Sequence, residues 1–520
     1  MKRRYGTLLL AVVFIITSAL SGCGSKAASE SSSTPSVAAV STAAAAATTA
    51  AGIDPKTLKP EHLVFVFMGT IPKNLEAVNA EASKYLTEKI NATIEIRPIE
   101  WGSYTNKTNL MFASREKFDL MFTASWMQEA SQAAKEQILP IDDLLKDYAP
   151  DYLATIPLDV REAGFINGKA YGLTGNKEWA ADKGLVFSKE IADKYGISSE
   201  TIKTMSDLTP YLEKIKVGEP GMVPLQARSA DSPMVGQMSN NAYDVLGDGP
   251  GAISRAAADT KVVNMFEQAD FMAAAKLARE WFTKGYFNKD AASVTDMTYL
   301  AVKAGKAAGY NQSGKPGLAF QEGRQAGKEM IYIPLDKPYM TTGDAASAIL
   351  AVPTTASDPA RSVMFANLLH KDKYLVNLIN WGIEGKDYVK ESDNVIKYPD
   401  GMTAANSTYN LNMNWLMGNQ LLDYTWKTDD PKLYELYKPF NDSAERSKAL
   451  GFTFDTTSVK NEVAAYNNVV LQYTGAIYTG SLDPEVVIPK FVKALKDAGM
   501  DKVIAEKQKQ LDAFVAAKAK

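Results

Sequence analysis

The chain is poor in the residues that staple folds covalently or through metals: its 520 residues include one cysteine, Cys23, and two histidines, His62 and His370. A single thiol excludes an intrachain disulfide and a thiolate zinc cluster, and two histidines are too few for a multi-histidine metal centre. Neither sign of charge dominates, with 57 Lys and Arg against 60 Asp and Glu and a pI near 5.8. The clustered positive charge of a nucleic-acid surface is therefore missing. No nucleophile elbow, zinc motif or cofactor fingerprint stands out, so no cofactor and no metal are expected. What the chain does have is length: a single core stops growing near ~250–300 residues, so 520 residues make two or three.

The N-terminus accounts for the cysteine. Lys2, Arg3 and Arg4 precede an apolar run over residues 8–20, which is the length of a signal-peptide core and short of the ~20 residues of a bilayer span. The run closes in Leu20-Ser21-Gly22-Cys23 and resembles the lipobox of bacterial lipoproteins, in which the cysteine is lipidated and the peptide is cut before it. Residues 1–22 read as signal peptide, and their removal takes three positive charges from a chain already at −3. Residues 23–60, mostly Ser, Ala and Thr, read as a disordered tether with a reach of about 30 Å.

The body alternates segment types from about His62. Runs at 62–68, 93–98 and 118–123 are short, apolar and β-branched or aromatic, whereas Leu75, Val78, Ala82 and Tyr85 recur at helical spacing and residues 103–113 form a second helix. Strands alternating with helices predict a parallel α/β sheet, whose ligands collect at the carboxyl ends of its strands. Those ends are 68–70, 100–102 and 123–126. Downstream, 167–173 reads as a hairpin leading to an extended crossing, 184–188 as a new strand before a helix at 189–195, and 270–286 as a helix in which Trp281 packs. Lys306–Tyr310 reads as a strand re-entering the first sheet and Ser347–Pro353 as a second crossing. Two crossings predict two discontinuous lobes: 61–172 with 306–347, and 173–305 with 348–520.

Several motifs carry a resemblance. The lipobox, the tether, Phe118–Trp126, Gly168-Lys-Ala-Tyr-Gly172 and the crossing at Ala348–Pro353 resemble family 1 extracellular solute-binding proteins, the receptors of ABC importers. Asn380-Trp-Gly-Ile-Glu-Gly-Lys-Asp-Tyr388, Tyr398-Pro-Asp-Gly401, Leu450-Gly-Phe-Thr-Phe-Asp455 and Asp501-Lys-Val-Ile-Ala-Glu506 resemble a Gram-positive lipoprotein subgroup with a distinctive C-terminal region, here about 385–520. The resemblance implies an α/β, two-lobed periplasmic-binding-protein-like fold of type II, each lobe a mainly parallel sheet flanked by helices, with helical C-terminal additions. It also implies a monomer anchored at the extracellular face of the membrane, a small solute such as a sugar, and ABC permease subunits as partners.

A sugar cleft mixes aromatic planes with polar groups. Trp101 and Trp126, just past strand ends, are candidates for stacking, and Thr123 and Ser125 for hydroxyl contacts unless they cap the following turn. Tyr171 and Tyr310 flank the crossings and either touch ligand or pack the hinge. Trp381 with Glu384 lies in a loop punctuated by Gly382 and Gly385. Asn176, Lys177 and Glu178 read as a charged surface turn, Gly309–Gly314 as a glycine-rich turn and not a phosphate loop, and Asp142-Asp143 and Asp429-Asp430 as capping or solvated charge. Two other classes remain open at this stage: a surface glycoside hydrolase or lyase, and a lipoprotein that binds a protein partner.

Overall fold

The protein's structure, a computed structural model, describes residues 54–518 except 128, 230–231, 233–241, 404–405, 410 and 412. Cys23, the signal segment and most of the tether lie outside the described residues. Packing on the first core extends before the expected boundary at 61: Leu58 packs there, and its carbonyl accepts from Asn91 Nδ2 at 2.7 Å.

Six consecutive apolar residues, 63–68, are buried in the strand Glu61–Met68, as befits a strand covered on both faces. It pairs in parallel with Ala92–Ile99 and Leu120–Thr123. The helix Leu75–Ile90 buries Val78, Ala82, Leu86 and Ile90 in one stripe and ends at Asn91, whose φ of 47° is left-handed. The first sheet is completed by Ile349–Ala351 and Gly172–Thr174, in the order 92–99, 61–68, 120–123, 349–351, 172–174. The second sheet runs 330–334, 182–188, 307–314, 223–226.

Each sheet is mainly parallel in strand direction, as expected, with one strand reversed. Ile349–Ala351 is antiparallel to both of its neighbours, and Asp182–Ser188 to both of its own. The reason is connectivity. Each of these strands enters its sheet from the other lobe, so it runs against strands that begin at the far edge and end at the gap between the lobes.

The lobe boundaries also change. Ala307–Gly314 pairs with Asp182–Ser188 and Val223–Gln226, so residues 306–347 do not re-enter the first sheet. The expected turn at 309–314 is this strand, whose glycines permit close packing: a Cβ on Gly309 would sit 2.4 Å from the Val186 carbonyl oxygen. Residues 349–351 and the helices Pro359–Lys371 and Lys373–Trp381 join the first core, not the second. The helices Lys460–Tyr478, Pro484–Asp497 and Met500–Lys518 pack on the second lobe through Tyr466, Ile477, Phe491, Leu495 and Met500.

The chain thus passes between lobes at 175–181, again at 335–348, and a third time beyond the helix Tyr437–Ser443. The passages are tied together. Asn441 Oδ1 accepts from Trp179 N at 2.8 Å and its Nδ2 donates to the Lys177 carbonyl at 3.0 Å, while 339–340 pairs with 445–446. Asn441→Leu leaves two buried backbone groups unpaired and is predicted to cost about 2–4 kcal/mol in urea unfolding. A loss below about 0.5 kcal/mol would mean that the third passage does not brace the first.

Candidate functional site

The two strands that flank Glu61–Met68 in the first sheet end at the same edge, and each is followed by a single 3₁₀ turn that opens on or carries a tryptophan: Trp101–Ser103 and Ser125–Met127. The two indoles lie 6.5 Å apart between ring centroids and within 14° of parallel. Trp415 joins them at 6.4 Å from Trp101 and meets the buried Phe122 edge-on at 5.4 Å. Trp126 is oriented by donating from Nε1 to the Ser347 carbonyl at 3.0 Å. Trp101 is 46% exposed and Trp126 52% exposed, so large apolar rings are held in place yet left uncovered.

Ser125 and Trp126 also border a cavity of about 370 Å³. Glu129 stands on the same side, the Asp244–Asp248 loop opposite, residues 341–347 along one flank and Phe452–Phe454 closing it. Glu129 is only 3% exposed, its Oε1 has no hydrogen-bond partner, and burial pushes its carboxyl up to about 8. The facing loop is held from behind by Lys507, whose buried ammonium lies 3.3–3.5 Å from the carbonyls of Val245, Gly249 and Gly251. Burial pulls that ammonium down to about 7. Asp244 accepts from the Ser447 hydroxyl and the Leu246 amide, and burial raises its carboxyl.

At the first crossing, Lys177 and Glu178 are buried, a correction to their reading as a surface turn. Glu178 Oε1 sits 2.9 Å from Lys177 Nζ and 3.2 Å from Lys315 Nζ. Burial alone would raise the Glu178 carboxyl, but the two ammonium groups hold it below the ordinary range. Covering by the third passage through Asn441 explains why charges this close in sequence are not solvated. Asn176 pairs with Asn419 at 3.0 Å.

The remaining sequence candidates scatter. Thr123 is buried and donates to Gln132 Oε1 at 2.7 Å, and Ser125 Oγ donates to the Gly343 carbonyl at 2.8 Å, so both hydroxyls already have partners within the protein. Tyr171 is half-buried against the first core. Tyr310 is corrected outright: it is fully buried in the second lobe and donates to Glu322 Oε2 at 2.6 Å. Trp381 is buried edge-on against Trp426, and Glu384 is exposed and paired with Lys390 at 3.0 Å; neither joins the indole cluster. Trp281 packs in the second core and donates to Thr209 Oγ1. Asp429 is not solvated but buried, in an ion pair with Arg324. Sequence reasoning missed Trp415, in a 3₁₀ turn without strand periodicity nearby, and Glu129, which nothing local distinguishes from a helix-start acid.

An indole cluster and a cavity on the cleft edge of a two-lobed α/β body is the geometry of a ligand receptor. Residues 70–374 match the family model described as bacterial extracellular solute-binding protein. The chain belongs to that family. Residues 448–516 match a second model, described only as a domain of unknown function. A carbohydrate ABC transporter substrate-binding protein of Streptococcus pneumoniae serotype 4 is 27% identical over 464 residues, 86% of this chain and 90% of its own. The crystal structure of an N-glycan transport solute binding protein of Streptococcus pneumoniae superposes with a TM-score of 0.78 at 26% identity, covering 88% of this chain and 100% of that one. Its complex with Man5GlcNAc gives 0.74 at 27% identity, covering 88% and 99%. An alginate-binding protein, at 15% identity and a TM-score of 0.58, shares the fold. As a member of this family the chain is a solute-binding protein of transport.

The buried carboxyl of the cavity has a testable titration. The folded form of Glu129 titrates near 8 against an ordinary 4.5, so the stability contributed by its protonated form is intact below 4.5 and is lost as the pH rises through about 8. Glu129→Gln cannot ionise and is predicted to gain on the native chain as urea midpoints are followed from pH 4.5 to 8. A pH-independent difference would contradict a neutral, buried carboxyl.

Proposed function

We propose that the chain is a lipid-anchored receptor that captures a carbohydrate, an oligosaccharide in particular, between its two lobes and presents it to an ABC permease. The observation that carries this reading is the near-parallel, half-exposed pair Trp101 and Trp126 just past the carboxyl ends of the two strands that flank Glu61–Met68. Uncovered indoles lose contact with water when a pyranose face stacks on them, and the neighbouring polar groups then orient its hydroxyls. The names of the relatives, a carbohydrate binder and an N-glycan binder, agree in substrate class. Closure works about the passages at 175–181 and 335–348: the first lobe takes the solute on its indoles, the second adds its contacts, and the permease reads the closed form. Cys23 supplies the anchor on the extracellular face. The solute is held and not converted.

A thermal-shift screen over mono- and oligosaccharides, including Man1GlcNAc and Man5GlcNAc, tests the reading. A true solute stabilises the protein by RT ln(1 + [L]/Kd), about 2.7 kcal/mol at a hundredfold excess over Kd. Trp101→Ala and Trp126→Ala are each predicted to weaken its binding by about tenfold. Unchanged affinity in both variants would move the cleft elsewhere, and turnover of any oligosaccharide by the purified protein would contradict a receptor. Separately, Cys23→Ser is predicted to shift the protein from the membrane fraction to the medium or soluble fraction of a cell that lipidates its exported proteins. Retention on the membrane would contradict the anchor.

A further inference from the structure

Glu129 presents a physical problem that the indole cluster does not solve. A carboxyl 3% exposed with an unpartnered Oε1 has given up its hydration without a replacement in the protein. Such a group is destabilising unless something else satisfies it. It borders the cavity of about 370 Å³, a volume in the range of ligand sites and far larger than a single water needs. The same cavity is bordered by Trp126, so it opens directly off the aromatic pair.

The opposite wall points the same way. Val245, 38% exposed, and the side chains of Phe452 and Phe454 give it apolar surface. The C-terminal domain at 448–516 supplies part of that surface and supports the rest: Phe452–Phe454 belong to it, and its Lys507 holds the loop carrying Val245 through three carbonyls. The same loop also brings Asp244 and Asp248 to the lining, so apolar surface and carboxyls stand together there, which matches a sugar unit with its apolar face and hydroxyls around its rim. The neutral carboxyl of Glu129 offers one O–H donor and acceptor capacity beside it, the complement of a hydroxyl that both donates and accepts.

We propose that this cavity is a second saccharide subsite, in which Glu129 hydrogen-bonds a solute hydroxyl and the C-terminal domain forms part of the facing wall. The proposal rests on the carbohydrate reading above and deepens it. It gives the C-terminal domain a role: it shapes the solute site beyond the indoles and so selects for length. A saccharide short enough to rest on Trp101 and Trp126 alone does not use the subsite, and a longer chain does.

The test is isothermal titration calorimetry of the mature protein with Man1GlcNAc and Man5GlcNAc, alongside urea unfolding. Glu129→Met removes an orphaned polar group, so unfolding stability is expected to hold or rise while affinity for Man5GlcNAc falls about tenfold; a purely structural role would move both downward. Glu129→Gln keeps a donor and an acceptor and is expected to bind Man5GlcNAc within threefold of the native chain. Val245→Trp, at an exposed wall position, plugs the cavity and is expected to weaken Man5GlcNAc by more than tenfold and Man1GlcNAc by less than threefold. If Glu129→Met and Val245→Trp bind Man5GlcNAc like the native chain while Trp101→Ala and Trp126→Ala lose it, the subsite is overturned and the carbohydrate reading stands. If the native chain binds neither probe, both readings fall for mannose-containing chains.

Discussion

The structure depends on a buried charge cluster at the point where the chain first leaves one lobe for the other. Glu178 lies between the ammonium groups of Lys177 and Lys315, within about a hydrogen bond of each. Removing water from three charges is expensive, and removing one partner typically costs 3–5 kcal/mol because it strands the others. Such a cluster adds little net stability, but it admits very few arrangements. Lys177 comes from the first passage and Lys315 from the end of a second-lobe strand, while Asn441 of the third passage clamps the backbone on either side of Glu178. The relative placement of the two sheets' cleft edges follows from that one joint.

From this joint the site is a consequence of topology. Strands that begin in each lobe end at the gap, and strands that enter from the other lobe run against them. The gap is therefore lined by turns, where side chains are free of ladder geometry and can be large and exposed. Trp101 and Trp126 occupy two such turns, Trp415 is delivered by the C-terminal region, and the loop at 244–248 faces them from the second lobe across the cavity. The two lobes supply chemically different walls: the first brings indoles and a neutral carboxyl, the second a loop pinned by Lys507 and aromatic rings from the C-terminal domain.

What could be read from sequence was whatever is local. The strands at 62–68 and 118–123 announce themselves by apolar runs, and the ends of the strands at 93–98 and 118–123 lead directly to Trp101 and Trp126. The first half of the strand at 307–314 is visible as a strand and its second half reads as a glycine-rich turn, but periodicity does not say which sheet accepts it; only the pairing with 182–188 does. Tyr310 went to the wrong lobe for the same reason. Lys177 and Glu178 read as solvated because adjacent charges in a turn normally are, and their burial is produced by segments more than a hundred residues away. Glu129 and Trp415 carry no local mark at all: each acquires meaning from what the fold sets opposite it.

The central claim is that a saccharide stacks on the exposed indoles, and tryptophan emission reports it directly. Of the seven tryptophans, Trp179, Trp281, Trp381 and Trp426 are buried, which leaves Trp101, Trp126 and Trp415 to sense a ligand. Titrating the protein with the saccharide that stabilises it most should shift the emission to the blue saturably, and Trp101→Phe with Trp126→Phe should abolish most of that shift. A saccharide that binds by calorimetry yet leaves the emission unmoved, or moves it equally in the doubly substituted protein, would contradict the account.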